Sequence, residues 1–354
     1  MFYDGTKLLS LLDLNRQKPD IYICTSNRSA GKTTFFNRYA FNRFFKRSQK
    51  TVFLYRFNYE LSGCADKIFR EIGRLFFPDY QLFSKACGKG IYHELFIGKK
   101  TDAENWKNTF APCGYAVALN NAEQVKKVSH LMADASLMIF DEFQSENGKY
   151  CPDEVQKFIS LHTSLARGNG QQVKRLPVIM ISNPVTIINP YYLLLGISDR
   201  LRSNTVFMRG DGYVLEQSFN QSASDAQKQS AFNRAFSDHK YVAYAGESVY
   251  LNDNQIFIER PTGRSYYLCT IKYDGKEYGV REFTELSVIY ADAAPDPSCK
   301  YKIVCTIDDH DTSCTLVKKS DPVIATMRWF FQKGRFRFSD QKAKSAVYHT
   351  IGIT

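Results

Sequence analysis

The segment TSNRSAGKTT (25–34) constrains the fold of this chain more than any other part of its sequence. It ends like the phosphate-binding pattern GxxxxGK[ST], because Gly31, Lys32 and Thr33 fill the last three required positions in order. Ser26 stands where that pattern normally has its first glycine. The apolar run IYICT precedes the segment and the helix-like run TFFNRYAFNRFFKR follows it, so a phosphate loop is predicted between a strand and a helix.

A phosphate loop depends on few of its side chains. Backbone N–H groups and a helix N-terminus point at the anion, the lysine bridges the outer phosphates, and the hydroxyl holds Mg²⁺. A serine at position 26 is therefore a mild departure. The expected ligands are ATP and Mg²⁺, and the residues predicted to bind the nucleotide are Ser26, Asn27, Arg28, Ser29, Ala30, Gly31, Lys32, Thr33 and Thr34. The alternative is an ordinary turn and helix start, in which Thr33 and Thr34 only cap the helix.

Short apolar runs alternate with helix-length segments through the first half of the chain. The runs IYICT, TVFLYRF, SLMIFDEF and PVIMIS each have the length of a buried strand. This alternation predicts an α/β domain with a largely parallel sheet over residues 1–216. A polar stretch rich in Ser, Gln and Asn is predicted to be a linker over 217–245, and alternating strands with turn signals predict a smaller α+β domain over 246–354.

The strand SLMIFDEF (136–143) delivers two carboxylates to one edge of the predicted sheet. Its end places Asp141 and Glu142 at the carboxyl edge, where open α/β sheets bind their ligands. Asp141 is predicted to hold Mg²⁺ together with Thr33, and Glu142 to act as general base on the attacking water. A plain solvated strand end is the alternative, but the phosphate loop upstream favours the catalytic interpretation.

Two further side chains are candidates for roles in hydrolysis. Asn183 follows the strand VIMIS, where a neutral amide can sense the γ-phosphate; alternatively it only starts a turn before Pro184. Arg167 lies where a helix is expected to break at Gly168. It either caps the helix carbonyls or reaches a neighbouring subunit's site as an arginine finger, an effect typically worth about 10³ to 10⁵ in rate.

Charge and cysteine content narrow the setting in which the chain works. Its 47 Lys and Arg against 36 Asp and Glu give a net charge of +11, which favours a polyanionic partner, nucleic acid first and a membrane surface second. The nine cysteines contain no CxxC pair and are expected to be reduced thiols, and no zinc site is predicted from Cys299, Cys305, His310 and Cys314. No secretion signal or membrane span is expected, because the most apolar stretch is interrupted by Asn and Pro.

Seven motifs occur in order along nearly the whole chain: SNRSAGKT, IFDEF, SNPVTIINPYY, QIFIER, YGV, DAAPDPS and RFRFSDQ. In these motifs the chain resembles the DNA-packaging (encapsidation) ATPases of small podoviruses, which are phi-twenty-nine-like and related to the large terminases of tailed phages. The resemblance implies a P-loop ATPase domain of the additional-strand, RecA-like type. It also implies a ring-forming motor that translocates double-stranded DNA into an empty capsid through the portal.

The resemblance assigns roles to single residues. Lys32 and Thr33 would bind phosphate and Mg²⁺, Asp141 would hold the metal, Glu142 would activate water, and Asn183 matches the family's coupling residue.

Two arginines also match the family. Arg28 corresponds to the arginine that terminases carry inside the phosphate loop, and Arg167 to the trans-acting arginine. Lys174 and Arg175 lie close in sequence to Arg167 and are the alternatives for this trans-acting role.

The resemblance also bears on DNA contact and on the C-terminal domain. Lys126 and Lys127 lie in a segment that the family directs at its central channel, so both are predicted to contact DNA phosphates. The C-terminal domain is expected to resemble an RNase-H-like nuclease without its activity, because such nucleases need an acidic cluster around two metals and the strand SYYLCTIKY carries no acid. Asp292, Asp308 and Asp309 are then expected to be surface or turn residues.

The implied partners are double-stranded DNA, the capsid portal and further copies of the chain in a ring, expected to be a pentamer; a structural RNA stays an open option. The expected location is the host cytoplasm, with transient residence at the portal vertex of the procapsid. Two alternatives remain: another P-loop enzyme such as a nucleotide kinase, and a non-catalytic nucleic-acid-binding adaptor. No arginine-rich lid supports the kinase, and the intact Lys32, Asp141 and Glu142 argue against the adaptor.

Overall fold

The computed structural model describes residues 3–167, 172–187, 189–198, 200–201, 205–236, 257–318 and 320–352. The chain divides into two compact units: the first comprises Met1–Val185 and Arg202–Val249, and the second Thr186–Leu201 and Tyr250–Thr354. A larger unit thus precedes a smaller one. The segment Thr186–Leu201 belongs to the second unit, however, although it was predicted to be part of the first domain (1–216). Local sequence patterns cannot reveal this grouping, because it depends on contacts between segments far apart in the chain. The boundaries 1–216, 217–245 and 246–354 stay a prediction.

A sheet of nine strands forms the centre of the first unit. Its strands are β1 (Ile21–Thr25), β2 (Lys50–Tyr55), β3 (Tyr80–Cys87), β4 (Tyr92–Lys99), β5 (Ala111–Ala118), β6 (Ala135–Asp141), β7 (Val178–Ser182), β8 (Phe207–Arg209) and β9 (Tyr213–Gln217). They lie in the order β3-β4-β5-β2-β6-β7-β1-β9-β8. The six central strands are parallel to one another, in the order β5-β2-β6-β7-β1-β9. Strands β4 and β3 extend one edge of the sheet, and β8 extends the other, with antiparallel pairing.

The position of β7 decides the type of sheet. β7 pairs with β1 on one side and with β6 on the other, so one strand separates the phosphate-loop strand from the Asp141 strand. This is the additional-strand arrangement, and the predicted α/β fold is confirmed. Because parallel strands all point the same way, the carboxyl ends of β1, β6 and β7 meet at one edge.

Helices and turns connect these strands. The helices of the first unit are α1 (Thr6–Ser10), α2 (Lys32–Arg47), α3 (Cys64–Phe76), α4 (Trp106–Thr109), α5 (Ala122–Lys127), α6 (Glu154–Leu165), α8 (Gln221–Gln229) and α9 (Ala231–Ala235), and α7 (Pro190–Leu194) lies in the second unit. The short 3₁₀ segments are Asn58–Leu61, Gly88–Gly90, Lys100–Asn105, Leu119–Asn121 and Ser129–Met132.

The core of the first unit forms because the central strands are apolar on both faces. Consecutive residues such as Val52, Phe53 and Leu54 are all buried, which is expected of a parallel strand covered from both sides. Helix α2 buries Phe36, Ala40 and the neighbouring Phe41 against this sheet, at the spacing of one helical face. The basic residues near the end of α2 are exposed, as expected for a solvated helix face.

The second unit is built on a mixed sheet of six strands. Its elements are β10 (Tyr266–Tyr273), β11 (Lys276–Phe283), β12 (Val288–Asp292), β13 (Lys302–Val304), β14 (Thr315–Leu316), α10 (Pro322–Gln332), β15 (Phe336–Phe338) and α11 (Gln341–Gly352). Strands β12, β11 and β10 are antiparallel neighbours, and β13 and β14 continue the sheet in parallel with β10. Three antiparallel strands followed by two parallel ones are the arrangement of an RNase-H-like sheet, as the resemblance implies.

Strand β15 lies within the basic and aromatic run KGRFRFSD (333–340). It covers only Phe336–Phe338 and pairs in parallel with β12, with Phe336 and Phe338 buried and Arg337 half-buried. The exposed Lys333 and Arg335 precede the strand. Within the described ranges, no helix combines the length and the apolar character that a membrane crossing requires.

Candidate nucleotide-binding site

The loop between β1 and α2 contains two residues with left-handed backbone. Ser29 has φ 60° and Gly31 has φ 94°, and Gly31 caps the N-terminus of α2. Ser26 does not have a positive φ, so a residue with a Cβ atom fits there without backbone strain. Ser26, Asn27 and Ala30 are almost completely buried. The loop therefore uses glycine where its conformation requires it, at position 31, and accepts serine at position 26.

The side chain of Lys32 lies back over the loop. Its Nζ donates hydrogen bonds to the backbone oxygens of Ser26 and Asn27 at 3.0 and 3.2 Å, and to Ser26 Oγ at 2.9 Å. It also donates to Asn183 Oδ1 at 3.1 Å. Burial lowers the pKa of Lys32. Ser26 therefore supplies the buried ammonium group with an acceptor that a glycine could not offer.

Thr33 connects the helix to the strand that carries the two predicted carboxylates. Its Oγ1 donates to Asp141 Oδ2 at 2.7 Å, and Asp141 Oδ1 accepts the backbone N–H of Glu142 at 2.9 Å. Burial raises the pKa of Asp141, while the hydrogen bonds from Thr33 and Glu142 act in the opposite direction. A hydroxyl oxygen and a carboxylate lie side by side here, and these are the oxygen ligands that Mg²⁺ prefers.

Glu142 has an unusual backbone conformation. Its φ is 54°, in the left-handed region that few residues other than glycine adopt. Glu142 is exposed, but partial desolvation by the surrounding protein raises the pKa of its carboxyl group, and the neighbouring charge of Asp141 raises it further. Strained backbone and a raised carboxyl pKa are both typical of functional positions.

Asn183 follows β7 and is half-buried. Its contact with Lys32 joins the start of α2 to the end of β7, and the contact between Thr33 and Asp141 joins the same helix start to the end of β6. The structure thus brings together Lys32, Thr33, Asp141 and Asn183, which the sequence placed at the same sheet edge. Their catalytic and ligand-binding roles stay predictions.

The segment that follows β9, at the start of the predicted linker, contacts the phosphate loop. This contact was not predicted from the sequence. Asn27 Nδ2 donates to the backbone oxygen of Asn220 at 3.0 Å, and the backbone N–H of Asn220 donates to Asn27 Oδ1 at 2.9 Å. The side chain of Asn220 also caps α8 through the N–H of Ala223. An Asn before a helical run is a recognisable capping signal, but nothing in the sequence shows that the cap lies against the phosphate loop.

Arg28 is the loop residue that the resemblance singled out. Its guanidinium forms an ion pair with Glu146 at 3.2 Å, and both side chains are well exposed. Glu146 follows the Asp141 strand in sequence, so Arg28 connects the loop to the segment after β6. Exposed pairs of this kind contribute little to stability, about 0–1 kcal/mol.

Arg167 lies away from this edge, together with the two predicted DNA-binding lysines. Lys126, Lys127 and Arg167 line one surface depression of about 610 Å³, which Ala133 also borders. Ala133 precedes the amino end of β6, and Asp141 lies at its carboxyl end, about 20 Å away at 3.3 Å per residue. The structure therefore separates Arg167 from the phosphate loop of its own subunit. Gly168, where the helix was expected to break, lies outside the described residues.

The two alternatives to Arg167 are engaged elsewhere. Lys174 Nζ donates to the backbone oxygen of Ala135 at 2.7 Å and also to that of Ala133. Arg175 forms an ion pair with Asp20 at 3.2 Å and donates to the backbone oxygen of Pro19 at 2.6 Å. These contacts place both side chains near the amino edge of the sheet, and the choice among Arg167, Lys174 and Arg175 stays a prediction.

The acidic residues of the second unit occupy different environments. Asp292 is buried, not a surface residue as expected, because its carboxylate pairs with Arg281 at 2.8 Å and with Arg260. Asp308 is exposed, and Asp309 accepts the backbone N–H groups of the β10–β11 turn at 2.9 and 2.8 Å. Among the residues that the structure describes, no three His, Cys, Asp or Glu side chains converge as a metal site would require.

Fold and site together define a class of protein. It is a parallel α/β protein with a phosphate loop, in which the strand leading to Asn183 separates the loop strand from the strand of Asp141.

Within this class, the sequence profile described as Podovirus DNA encapsidation protein (Gp16) matches residues 1–352. The chain belongs to this family, and its function is viral DNA packaging. The predicted family and the predicted role in packaging are confirmed.

Individual relatives agree with this assignment. The DNA packaging protein of Bacillus phage phi29 is 25% identical over 352 residues, which cover 98% of this chain and 96% of the relative. The DNA packaging protein of Bacillus phage B103 is 26% identical over 327 residues, which cover 91% and 93%.

Two solved structures share the fold over the whole chain. The bacteriophage Phi-29 viral genome packaging motor assembly has a TM-score of 0.58 at 23% identity and covers 99% of both chains. The Phi-28 gp11 DNA packaging motor has a TM-score of 0.60 at 15% identity and covers 99% of this chain and 98% of its own.

Proposed function

We propose that this chain hydrolyses ATP and couples hydrolysis to the movement of double-stranded viral DNA into a preformed capsid through the portal. The observation that carries the proposal is the pair of contacts Thr33–Asp141 and Lys32–Asn183, at 2.7 and 3.1 Å. They join a helix N-terminus to the ends of two strands at the carboxyl edge of the sheet. A lysine, a hydroxyl, a carboxylate and an amide at that edge are what a triphosphate and its metal require.

The residues at this edge fit a bound magnesium ion. Thr33 Oγ1 and Asp141 Oδ2 offer adjacent oxygen ligands, and the buried Lys32 provides a positive charge close by. When bound, Mg²⁺ would neutralise negative charge on the β- and γ-phosphates. We assign Thr33 and Asp141 as its protein ligands, and the loop residues 26–34 as the surface that binds the phosphates.

Glu142 is the residue that we assign as general base. It is adjacent to Asp141 at the carboxyl edge of the sheet, and its left-handed backbone, at φ 54°, is typical of a functional position. Proton acceptance by a positioned carboxylate typically contributes about 10² to 10⁴ in rate. Asn183 accepts a hydrogen bond from Lys32, and we assign it to report the state of the γ-phosphate to β7.

The basic depression is the surface that we assign to DNA. Lys127 and Arg167 are exposed there, and Lys126 pairs with Glu123 at 3.1 Å on the same helix. Contacts from such side chains would be to phosphates, which suits a motor that must accept any sequence. The net charge of +11 supports a polyanionic partner.

An assembled ring follows from the same proposal. The chain would act as a homo-oligomeric ring, a pentamer, on the portal vertex of the procapsid in the host cytoplasm, with a structural RNA as an optional component. Arg167 would then face a neighbouring subunit, since it shares its depression with Ala133, before the amino end of β6, whereas the phosphate loop contacts Asp141 at the carboxyl end. The two packaging-motor structures that share this fold support an assembly of this kind.

ATP hydrolysis with and without double-stranded DNA tests the enzyme directly. We expect the wild type to release phosphate, and Glu142→Gln to bind ATP while its kcat falls by at least about 10². Absence of hydrolysis in the wild type, alone and with portal and DNA, would remove the ATPase part of the proposal.

Mixed rings test the role of Arg167. Arg167→Ala subunits, which keep an intact Glu142, are mixed with Glu142→Gln subunits, which keep Arg167. If Arg167 acts in trans, some sites in the mixture combine both intact residues, and phosphate release should exceed the sum of the two separate preparations. A mixture with no such gain at any ratio shows that the arginine does not act across subunits.

A further inference from the structure

Arg56 is a buried arginine directly after β2, at the carboxyl edge that carries the candidate site. Only 8% of its side chain is exposed. Its Nη1 donates to the backbone oxygen of Glu142 at 3.1 Å, and its Nη2 donates to the backbone oxygen of Phe143 at 2.7 Å. One guanidinium group thus holds two successive peptide carbonyls, the first of which belongs to the candidate general base.

The opposite side of the guanidinium is anchored in turn. Nε donates to both carboxylate oxygens of Glu154 at 2.9 and 3.2 Å, and only 1% of the Glu154 side chain is exposed. The same carboxylate accepts the backbone N–H of Cys151 at 2.8 Å. The rings of Phe140 and Tyr150 lie 5.6 and 5.0 Å from the guanidinium carbon. The guanidinium group of Arg56 is therefore held at Nε, Nη1 and Nη2 and lies close to two aromatic rings.

The backbone that Arg56 holds is the strained one. A φ of 54° at Glu142 is typically unfavourable by about 1–2 kcal/mol for a residue with a Cβ atom, so surrounding contacts must maintain it. The carbonyl of Glu142 fixes the orientation of the peptide plane after its Cα atom, and with it the direction in which the side chain leaves the backbone. The N–H of Phe143 donates to the backbone oxygen of Ile181 at 3.2 Å, which holds the next peptide against β7.

We propose that Arg56 is a positioning residue for hydrolysis, which holds Glu142 in its left-handed conformation and so aims the carboxylate at the attacking water. The inference rests on the proposed ATPase function. A lysine at position 56 keeps the positive charge but cannot donate to two carbonyls and a carboxylate in one plane. A displacement of about 1 Å in a catalytic group can cost about 10² in rate, so a loosened Glu142 should affect kcat and leave nucleotide binding intact.

The experiment is a double-mutant cycle between positions 56 and 142, read in steady-state and single-turnover ATP hydrolysis. Arg56→Lys should lower kcat by at least about tenfold while KM for ATP stays within about threefold. In a Glu142→Gln background the same substitution should change the residual rate less than about twofold, because the carboxylate that Arg56 positions is already gone. Arg43→Lys is the matched control, since Arg43 also donates to a backbone carbonyl, that of Ser136, at the amino edge of the sheet.

The outcomes separate the two proposals. If the wild type does not hydrolyse ATP, the proposed function fails before any variant is made, and the role of Arg56 fails with it. If the wild type is active and Arg56→Lys keeps its kcat, or loses the same factor with and without the Glu142 carboxylate, Arg56 only stabilises the fold. If Arg56→Lys does not fold, Glu154→Gln replaces it in the cycle, because this variant leaves the carbonyl contacts of Arg56 in place but weakens the anchor of its guanidinium group. We expect Glu154→Gln to lower kcat by about threefold, and this loss to vanish in the Glu142→Gln background. If Glu154→Gln leaves kcat unchanged, or lowers it by the same factor in both backgrounds, the proposal is contradicted.

Discussion

Restoring glycine at position 26 should destabilise this protein, although glycine is the residue that the phosphate-loop pattern normally has there. Ser26 Oγ accepts a hydrogen bond from the buried ammonium of Lys32 at 2.9 Å. The three N–H groups of the Lys32 ammonium keep three acceptors, Ser26 O, Asn27 O and Asn183 Oδ1, so loss of this bond leaves no N–H without a partner and should cost about 1 kcal/mol. Glycine adds about 0.5–1 kcal/mol by raising the entropy of the unfolded chain.

The two contributions can be measured separately. Ser26→Ala removes only the hydroxyl and should lower the free energy of unfolding by about 1 kcal/mol, while Ser26→Gly should lower it by about 1.5–2 kcal/mol. For a unit of this size, 1 kcal/mol corresponds to about 2–4 °C in Tm, so Ser26→Gly should melt about 3–8 °C below the wild type. Thermal and urea unfolding without nucleotide give both values. Ser10→Ala is the control, because its exposed hydroxyl donates to a neutral carbonyl and its loss should matter by less than about 0.5 kcal/mol.

Two results would refute this reasoning. An unchanged Tm for Ser26→Ala would mean that the bond to Lys32 contributes nothing. A Ser26→Gly protein more stable than Ser26→Ala would mean that the backbone at position 26 does require glycine, contrary to its φ.

Four further predictions concern Glu142, the two lysines of the basic depression, Asp292 and Asn27. Desolvation raises the pKa of Glu142 in the nucleotide-free protein, and a general base works only when deprotonated, so kcat/KM should fall as pH drops through a midpoint above that of an ordinary glutamate; a kcat/KM profile without this acid limb contradicts the assignment. Lys126→Ala/Lys127→Ala should reduce the slope of log affinity for DNA against log salt by up to about 1.8, and an unchanged slope removes both residues from the interface. Asp292→Ala should lower stability by about 2–3 kcal/mol in urea unfolding, since two arginines lose their partner; an unaffected midpoint would show that the buried pair contributes nothing. Asn27→Ala should speed amide hydrogen exchange in α8 by releasing its N-terminal contact with the phosphate loop, and identical exchange rates would show that the contact does not order the helix.

The parts of the fold that the sequence predicted are those with strong local patterns. Apolar runs of strand length, such as VFLYRF around β2, predicted the parallel strands, and the glycine and lysine of the loop predicted the start of α2. The antiparallel additions β3, β4 and β8 were not predicted, because their residues alternate in exposure and resemble surface segments. The grouping of Thr186–Leu201 with the second unit was not predicted either, since it depends on tertiary contacts.

The residues of the candidate site that lie at or just after strand ends could be predicted from the sequence. Lys32, Thr33, Asp141 and Asn183 follow strands that the sequence marks clearly, and a parallel sheet must bring such ends together. Arg56 also follows a predicted strand, yet an arginine after an apolar run is ordinary in sequence. Its importance depends on a fork of hydrogen bonds to backbone atoms, which leaves no sequence signal.

Helix α6 gives these observations a common mechanical basis. It begins at Glu154, whose carboxylate anchors the arginine that holds Glu142, and Arg167 in the basic depression lies two residues beyond its last residue, Leu165. A helix of 12 residues spans about 18 Å, close to the distance between the two edges of the sheet. We expect a displacement of the peptide after Glu142 to reach α6 through Arg56 and Glu154, and to move the basic depression at the far end of this helix. We therefore expect Glu154→Gln to weaken the dependence of ATP hydrolysis on DNA more than the hydrolysis measured without DNA, and equal losses in both would argue that α6 does not connect the two edges.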